Sequence, residues 1–265
     1  MSILQLRYIR RFAIKRAIVT PDKHFPLHDP AAIMVVKKAI EKVKPDIYID
    51  LGDTGEWEHF STHYWKGRMA KPMEDLIPLL DKDVYDVNAG MDSIDESLDK
   101  AGVKERHFVQ GNHEVWLDKF VTRYPYLKHY ETSKALRLKE RGYKFHPYNK
   151  KKTLKIGKLN FTHGKFVSKY HSFKHLDVYG ESIMYGHTHD LQRHTKTYAG
   201  GTISAWSLVC LKDIEADEDW LMGRLTNWNH AFAIIDFYKG GNYKVEIVEI
   251  IKGKTSLWGE EIDGN

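Results

Sequence analysis

Short apolar runs and longer amphipathic stretches alternate along this chain. Five runs are short and mostly β-branched, aromatic or aliphatic: Ala17 to Thr20, Ile47 to Leu51, His107 to Gln110, Leu159 to Thr162 and Ser182 to Tyr185. Such runs predict buried strands. Between the first three, the apolar positions take helical spacing instead. Ile33, Val36, Ala39, Ile40 and Val43 fall on one face. They predict a helix that starts at Asp29-Pro30, with proline in its first turn, runs to about Lys42 and is ended by Pro45. Residues 81–101 predict a helix ending at Gly102, and Val115 to Phe120 one that runs to about Tyr124 and stops before Pro125.

The second half is less regular. Residues 126–150 read as a helical excursion. Lys150 to Ile156 and Leu159 to Thr162 read as a hairpin turning at Gly157-Lys158. Gly200 to Ala205 suggests a strand, and His230 to Tyr238 with Tyr243 to Ile251 an antiparallel hairpin turning at Gly240-Gly241-Asn242. Residues 1–15 are expected to form an arm or edge strand, Lys212 to Asp219 an acidic loop, and Gly253 to Asn265 a loose tail. With no internal repeat and no low-complexity linker, the chain is expected to be a single α/β domain over 1–265.

The five short runs share one more property. Each leads into Asp, Asn or His: Asp22 and His24, then Asp53 and Glu56, then Asn112 and His113, then His163, then His187 and His189. In open α/β sheets, ligands bind at the carboxyl ends of strands. Gly111-Asn112-His113-Glu114 sits where a strand turns into a helix. Glycine permits a tight turn there, asparagine offers a carbonyl oxygen to a hard or borderline cation, and histidine binds metal or moves protons. Alone, this motif reads equally well as a polar turn with asparagine capping a helix. Asp22 and His24 are two apart, so an extended loop points both to one side, where one metal could take both. His187 and His189 repeat that spacing. His171 and His175, four apart with no acid beside them, read as surface or substrate-contact histidines.

The ordered set resembles the calcineurin-like metallophosphoesterase family. The family pattern is Asp-x-His, Gly-Asp-x-x-Asp/Glu, Gly-Asn-His-Asp/Glu, a lone His, then Gly-His-x-His, and each element occurs here in order over about residues 16–205. The style is that of stand-alone phage and bacterial members, with distant similarity to the nuclease subunits of DNA-break repair complexes. The resemblance implies a two-sheet α/β sandwich flanked by helices. It implies two divalent metal ions, one on Asp22, His24, Asp53 and His189, the other on Asp53, Asn112, His163 and His187, with Asp53 bridging. The donors are imidazole, carboxylate and amide, without thiolate. That favours manganese, iron, zinc, cobalt or nickel over soft-metal sites, and a manganese pair is expected. The implied chemistry is attack of a hydroxide between the metals on phosphorus. His113, outside the ligand set, is assigned to protonating the leaving alkoxide, oriented by Glu56.

Composition narrows the substrate only a little. The chain has 265 residues, a formal net charge of +5, one cysteine and ordinary apolar and charged fractions. Cys210 cannot form an internal disulfide and reads as a small core residue. No apolar run is long enough for a membrane helix, and the basic stretch Met1 to Arg16 lacks the apolar core of a secretory signal. A cytoplasmic protein is expected, acting in a host cytoplasm if phage-encoded. Between Lys134 and Lys174 lie thirteen cations and one acid, Glu140. Such clustering suits DNA or RNA, or else a solvated lysine-rich face. Residues 57–80 mix Trp57, Phe60, His63, Tyr64 and Trp65 with Lys66, Arg68 and Lys71, which suits either base stacking or core packing. Lys23, Trp57 and His28, beside the motifs, are expected to touch substrate.

Together these features point to a phosphodiesterase acting on nucleic acid or nucleotides. The alternatives are a phosphomonoesterase, including a protein serine/threonine phosphatase, and a catalytically silent metal-binding scaffold. The arginines that phosphatases of the family carry near the first motifs are absent: Lys23 follows Asp22 and Trp57 follows Glu56. No capping domain of the repair-nuclease type is recognisable.

Overall fold

The computed structural model describes residues 14–69, 71–148, 152–216 and 221–265. The expected arm over residues 1–15 lies almost wholly outside them, as do Lys150 and Lys151 of the basic window and part of the acidic loop.

Two sheets face each other. The first has strand order β11-β10-β1-β2-β3-β4 and contains β1 (Lys15–Thr20), β2 (Ile47–Asp50), β3 (Glu105–Val109), β4 (Tyr143–His146), β10 (His230–Phe237) and β11 (Tyr243–Ile250). β1 to β4 run parallel, and β10 joins β1 antiparallel. The second sheet has the order β5-β6-β7-β9-β8, from β5 (Leu154–Ile156), β6 (Leu159–Phe161), β7 (Ile183–Tyr185), β8 (Gln192–Tyr198) and β9 (Gly201–Ser207). Side chains alternate across each strand. Ala17, Val19, Ile47, Ile49 and Val109 of the first sheet therefore meet Leu159, Phe161, Met184 and Trp206 of the second in one buried layer. Ile18, Tyr48 and Phe108 point the other way, into a layer shared with α1 (Pro30–Val43) and α2 (Met73–Ala101). The helix α5 (His171–Tyr179) covers the outer face of the second sheet through Leu176 against Ile183, Tyr185 and Ala205. This is the α/β sandwich expected from the motif order.

Helix boundaries follow local chemistry. Asp29 caps α1 by accepting the Ala32 N–H at 2.7 Å. α2 begins earlier than its spacing suggested and carries Pro78 in its second turn, where the missing N–H removes only one early bond. α3 (Asn112–Arg123) starts directly at the Gly111 turn. The excursion over 126–150 is only partly helical: a 3-10 segment Pro125–Tyr130, the single turn α4 (Thr132–Ala135), then strand β4. The hairpins β5–β6 and β10–β11 form as expected, and Cys210 is buried.

Two expectations fail here. Residues 253–265 are not a loose tail: β12 (Lys254–Leu257) and β13 (Glu260–Asp263) pair as a hairpin. Leu257 and Ile262 bury in the layer beside α1, and Lys38 Nζ donates to the Asp263 carbonyl at 2.6 Å. His171 and His175 are not surface residues; both are buried, because the helix face that carries them is the one laid on the sheet. Among the described residues no helix is long and apolar enough to cross a membrane.

Candidate metal centre

The carboxyl ends of β1, β2, β3, β6 and β7 converge at one edge of the sandwich. Every residue expected to hold metal arrives there. Asp22, His24 and His189 offer ligand atoms within 4.8 Å of one another, and so do Asp53, His163 and His187. His24, Asp53 and His113 form a third overlapping group between them. The two histidines of Gly186-His187-Thr188-His189 thus separate onto different sides. Both have left-handed backbone (φ 78° and 60°), as do His24 (53°) and Asp53 (45°). Left-handed backbone costs a non-glycine residue about 1–2 kcal/mol, and its concentration in four expected ligands marks a site held by its surroundings.

Those surroundings include Glu114, to which sequence reasoning gave no separate role. It is fully buried on the first turn of α3. Its Oε2 accepts the N–H groups of Asp53 and Gly111, both at 2.9 Å, and its Oε1 those of Thr54 (2.9 Å) and Gly55 (3.2 Å). One carboxylate therefore ties the loop after β2 to the loop after β3. The signal was legible: glutamate three residues past a helix start is where a side chain reaches back to the first N–H groups. Gly111 is required by close approach, since a Cβ there would lie 2.1 Å from Asp53 Oδ1.

Lys23 does not face the substrate. It is buried and pairs with Asp50 at 2.7 Å; Asp50 also accepts the Gly52 N–H and the Thr54 hydroxyl, both at 3.0 Å. Trp57 is likewise buried in the core layer. His28 lies against Phe25 and contacts the Pro26 carbonyl at 3.1 Å, lining neither recess beside the metal centre. For Lys23 and Trp57 proximity in sequence to a candidate ligand misled, because both side chains are taken up by the interior.

His163 donates Nδ1–H to the Leu51 carbonyl at 2.8 Å and turns Nε2 to Asn112 Oδ1 (2.9 Å) and Asp53 Oδ2 (3.1 Å). That backbone bond fixes the ring as outer partners fix metal-binding histidines. His113 donates Nδ1–H to the Glu56 backbone carbonyl, leaving Nε2 3.8 Å from Asp53 Oδ2. The Glu56 carboxylate is 3.8 Å from His113 Nδ1 and closer to His24 Nδ1 (2.9 Å) and Lys212 Nζ (3.0 Å). Glu56 thus orients His113 through its main chain, while its side chain braces His24. Lys212, a buried lysine arriving after β9, was not anticipated from sequence.

The electrostatics suit cations. Burial lowers the His24 pKa to about 4 and the His187 pKa to about 3, so both rings are neutral with lone pairs available. Against burial, His163 and its histidine neighbours hold Asp22 below the usual range and Asp53 well below it. Against burial, Asp53 and Asp22 raise His163 to about 9. Asp22 Oδ1 is buried without a hydrogen-bond partner, and His24 Nε2 and His189 Nε2 face each other at 3.1 Å. Ionised Asp22 and Asp53, neutral His24 and His187 and an unsatisfied buried oxygen around one point suit a divalent cation, while His163, held protonated by the two carboxylates, would have to release its proton to bind one.

The centre opens on two sides. One recess of about 460 Å³ is bounded by His24, His113 and His189 and walled by Tyr64, Trp116 and Trp228. Another of about 540 Å³ is bounded by Asp53, Asn112, His113 and His187 and extends along Val167 and Lys169.

The candidate ligands thus come together at one edge of the sandwich, as expected from the motif order. No family model and no curated protein matches the chain. Among solved structures it is similar to zinc-complexed Vps29 from Entamoeba histolytica, at 14% identity and TM-score 0.47, over 94% of this chain and 99% of that one. A dimetal phosphatase from Danio rerio is similar at 11% identity and TM-score 0.42, over 85% and 93% of the two chains. A purple acid phosphatase from yellow lupin is similar at 11% and 0.46, over 92% of this chain and 53% of that one.

Proposed function

We propose that this protein is a dinuclear metal-dependent phosphoesterase that hydrolyses phosphodiesters. The observation that carries the reading is the pair of overlapping ligand clusters around Asp53, flanked by a recess on each side. A diester has two arms to place and a monoester one, so two recesses favour the diester. Asp22, His24 and His189 would hold one cation, Asn112, His163 and His187 the other, with Asp53 between them. Two cations so held supply Lewis acidity and a nucleophilic water at neutral pH. The chain's own groups do the rest. His113, with Nδ1–H committed to the Glu56 carbonyl, presents Nε2 toward the centre, where it can donate a proton to a leaving alkoxide. Glu56 keeps His24 in place and shares its charge with Lys212.

Nucleic acid or nucleotides remain the proposed substrates, though the basic window supports this less than its composition suggested. Arg137 and Arg141 pair with Asp92, Arg141 also with Asp95, and Lys155 with Glu181. Lys169, beside the second recess, is the window's best-placed candidate for a phosphate.

The test compares a chromogenic phosphodiester with its monoester, under Mn²⁺ and under chelator, with His113→Ala beside the native chain. Chelator-sensitive turnover that favours the diester is expected. Preference for the monoester would turn the assignment to a phosphatase, and metal binding without turnover of either would leave a scaffold.

A further inference from the structure

The recess walled by Tyr64, Trp116 and Trp228 is built from a segment the hydrolytic chemistry does not need. Residues 57–68 leave β2 and divide their aromatics by role. Trp57 and Phe60 are buried in the core, and Phe60 meets Phe120 of α3 at 4.9 Å between centroids. Trp65 is pinned by its indole N–H to the His59 carbonyl at 2.8 Å. Packing is thereby satisfied, yet Tyr64 remains half-exposed at the recess. Opposite, Trp116 on α3 stacks on His113 at 3.9 Å, tilted by 38°, and Trp228 stands edge-on to His189 at 4.8 Å. The aromatic walls are therefore continuous with the proton donor and with a metal ligand. Lys66 and Arg68 stand at the rim, Arg68 over the Tyr64 ring at 4.4 Å, and Glu58 lines the interior.

We infer that this recess is a subsite for one nucleobase of a nucleotide whose phosphate sits at the metal centre. The inference rests on the phosphoesterase reading and adds a base-binding subsite to it. The rings of Tyr64, Trp116 and Trp228 line a recess into which a planar base can pack, and Lys66 at its edge can meet an adjoining phosphate. A volume of about 460 Å³ suits a mononucleotide-sized ligand. It does not suit a duplex, in which the base is stacked and paired, so the substrate is a mononucleotide, a single strand or an unpaired end.

The decisive experiment measures binding, so it does not depend on turnover. The Mn²⁺-loaded full chain is titrated with adenosine 5′-monophosphate and with ribose 5-phosphate, which has a sugar phosphate but no base. Calorimetry and tryptophan fluorescence are the readouts. One stacked base is expected to favour the nucleotide by about 5–150-fold. Trp116→Leu and Tyr64→Leu should each shrink that preference, and Trp116→Phe should retain most of it. A single-stranded oligonucleotide should compete and a blunt duplex should not. Equal affinity for the two phosphates would overturn the subsite. So would phenyl phosphate binding as tightly as the nucleotide, or a preference that survives both leucine variants. Failure of the chromogenic diester assay with base-selective binding intact would instead overturn the hydrolytic reading alone.

Discussion

The two sheets deliver their halves of the candidate metal centre by different means. The first sheet's loops are held by carboxylates. Glu114 gathers four N–H groups from the loops after β2 and β3, and Asp50 holds Lys23 and Thr54 behind them. The second sheet is held by imidazoles. His163 hangs from the Leu51 carbonyl, and behind it His171 meets the Tyr185 hydroxyl at 2.7 Å while His175 stacks on the Tyr185 ring at 3.7 Å. In the first half carboxylate oxygens accept backbone N–H groups, and in the second the bare Nε2 of His175 accepts one, so each half should fail in its own way.

The largest effect should come from the residue that belongs to both halves. Asp53 lies in both the His24–His113 and the His163–His187 clusters. Asp53→Ala should drop diester hydrolysis to background and leave fewer than two bound metal equivalents, measured by elemental analysis of the purified variant. Full metal occupancy in that variant would show the halves to be independent.

Next comes the proton donor. His113→Ala should lose about 10²–10⁴ in rate on a substrate with a poor leaving group, with metal content intact. With a nitrophenolate leaving group, which departs without a proton, the loss should be much smaller. Equal losses on both substrates would argue that His113, a member of the central cluster, binds metal instead.

Glu114→Gln attacks the carboxylate half without touching a ligand. The amide keeps the shape but turns an NH₂ toward two backbone donors. Burial and Asp53 raise the Glu114 pKa to about 7, which offsets part of what its charge contributes, so losing its charge-assisted bonds should cost about 1.5–3 kcal/mol. Denaturant unfolding measures it, and a loss below about 1 kcal/mol would show that the loops stand without the anchor.

Legibility in the sequence divides along the same line. The candidate ligands were easy to pick out because each stands just past a strand, a position sequence order records. The anchors were less so, because their partners are distant along the chain. Lys23 looked like a substrate contact until Asp50, which ends another strand, claimed it. The basic window reads as a polyanion site from its own composition, while Asp92, Asp95, Glu105 and Glu181, which pair with four of its thirteen cations, lie outside it. His171 and His175 were misread for want of the sheet that covers them, and the C-terminal hairpin because two apolar residues, Leu257 and Ile262, are too few to give a period. β8 and β4 carry mostly polar residues or come after an irregular segment, so neither announced itself.

The imidazole half should be broken by acid, and His175 shows how. Its Nδ1–H donates to the His171 carbonyl at 2.8 Å, and its Nε2 accepts the Lys165 N–H at 3.0 Å. Both nitrogens are satisfied only in the neutral ring; a proton on Nε2 would face another donor. Burial accordingly lowers its pKa to about 4. In the unfolded chain the ring titrates near 6.5, so below that pH the unfolded state binds a proton the folded state refuses. Stability from His175 is thus complete above pH 6.5 and is lost as pH falls toward 4, by at most about 3 kcal/mol. Other depressed histidines, His146 among them, add to the native slope, so the informative quantity is a difference. His175→Gln cannot titrate and should unfold with a shallower pH dependence than the native chain between pH 6.5 and 4, the two curves converging at the acid end. Identical slopes would mean that the ring is protonated in place, with the Lys165 segment moving aside.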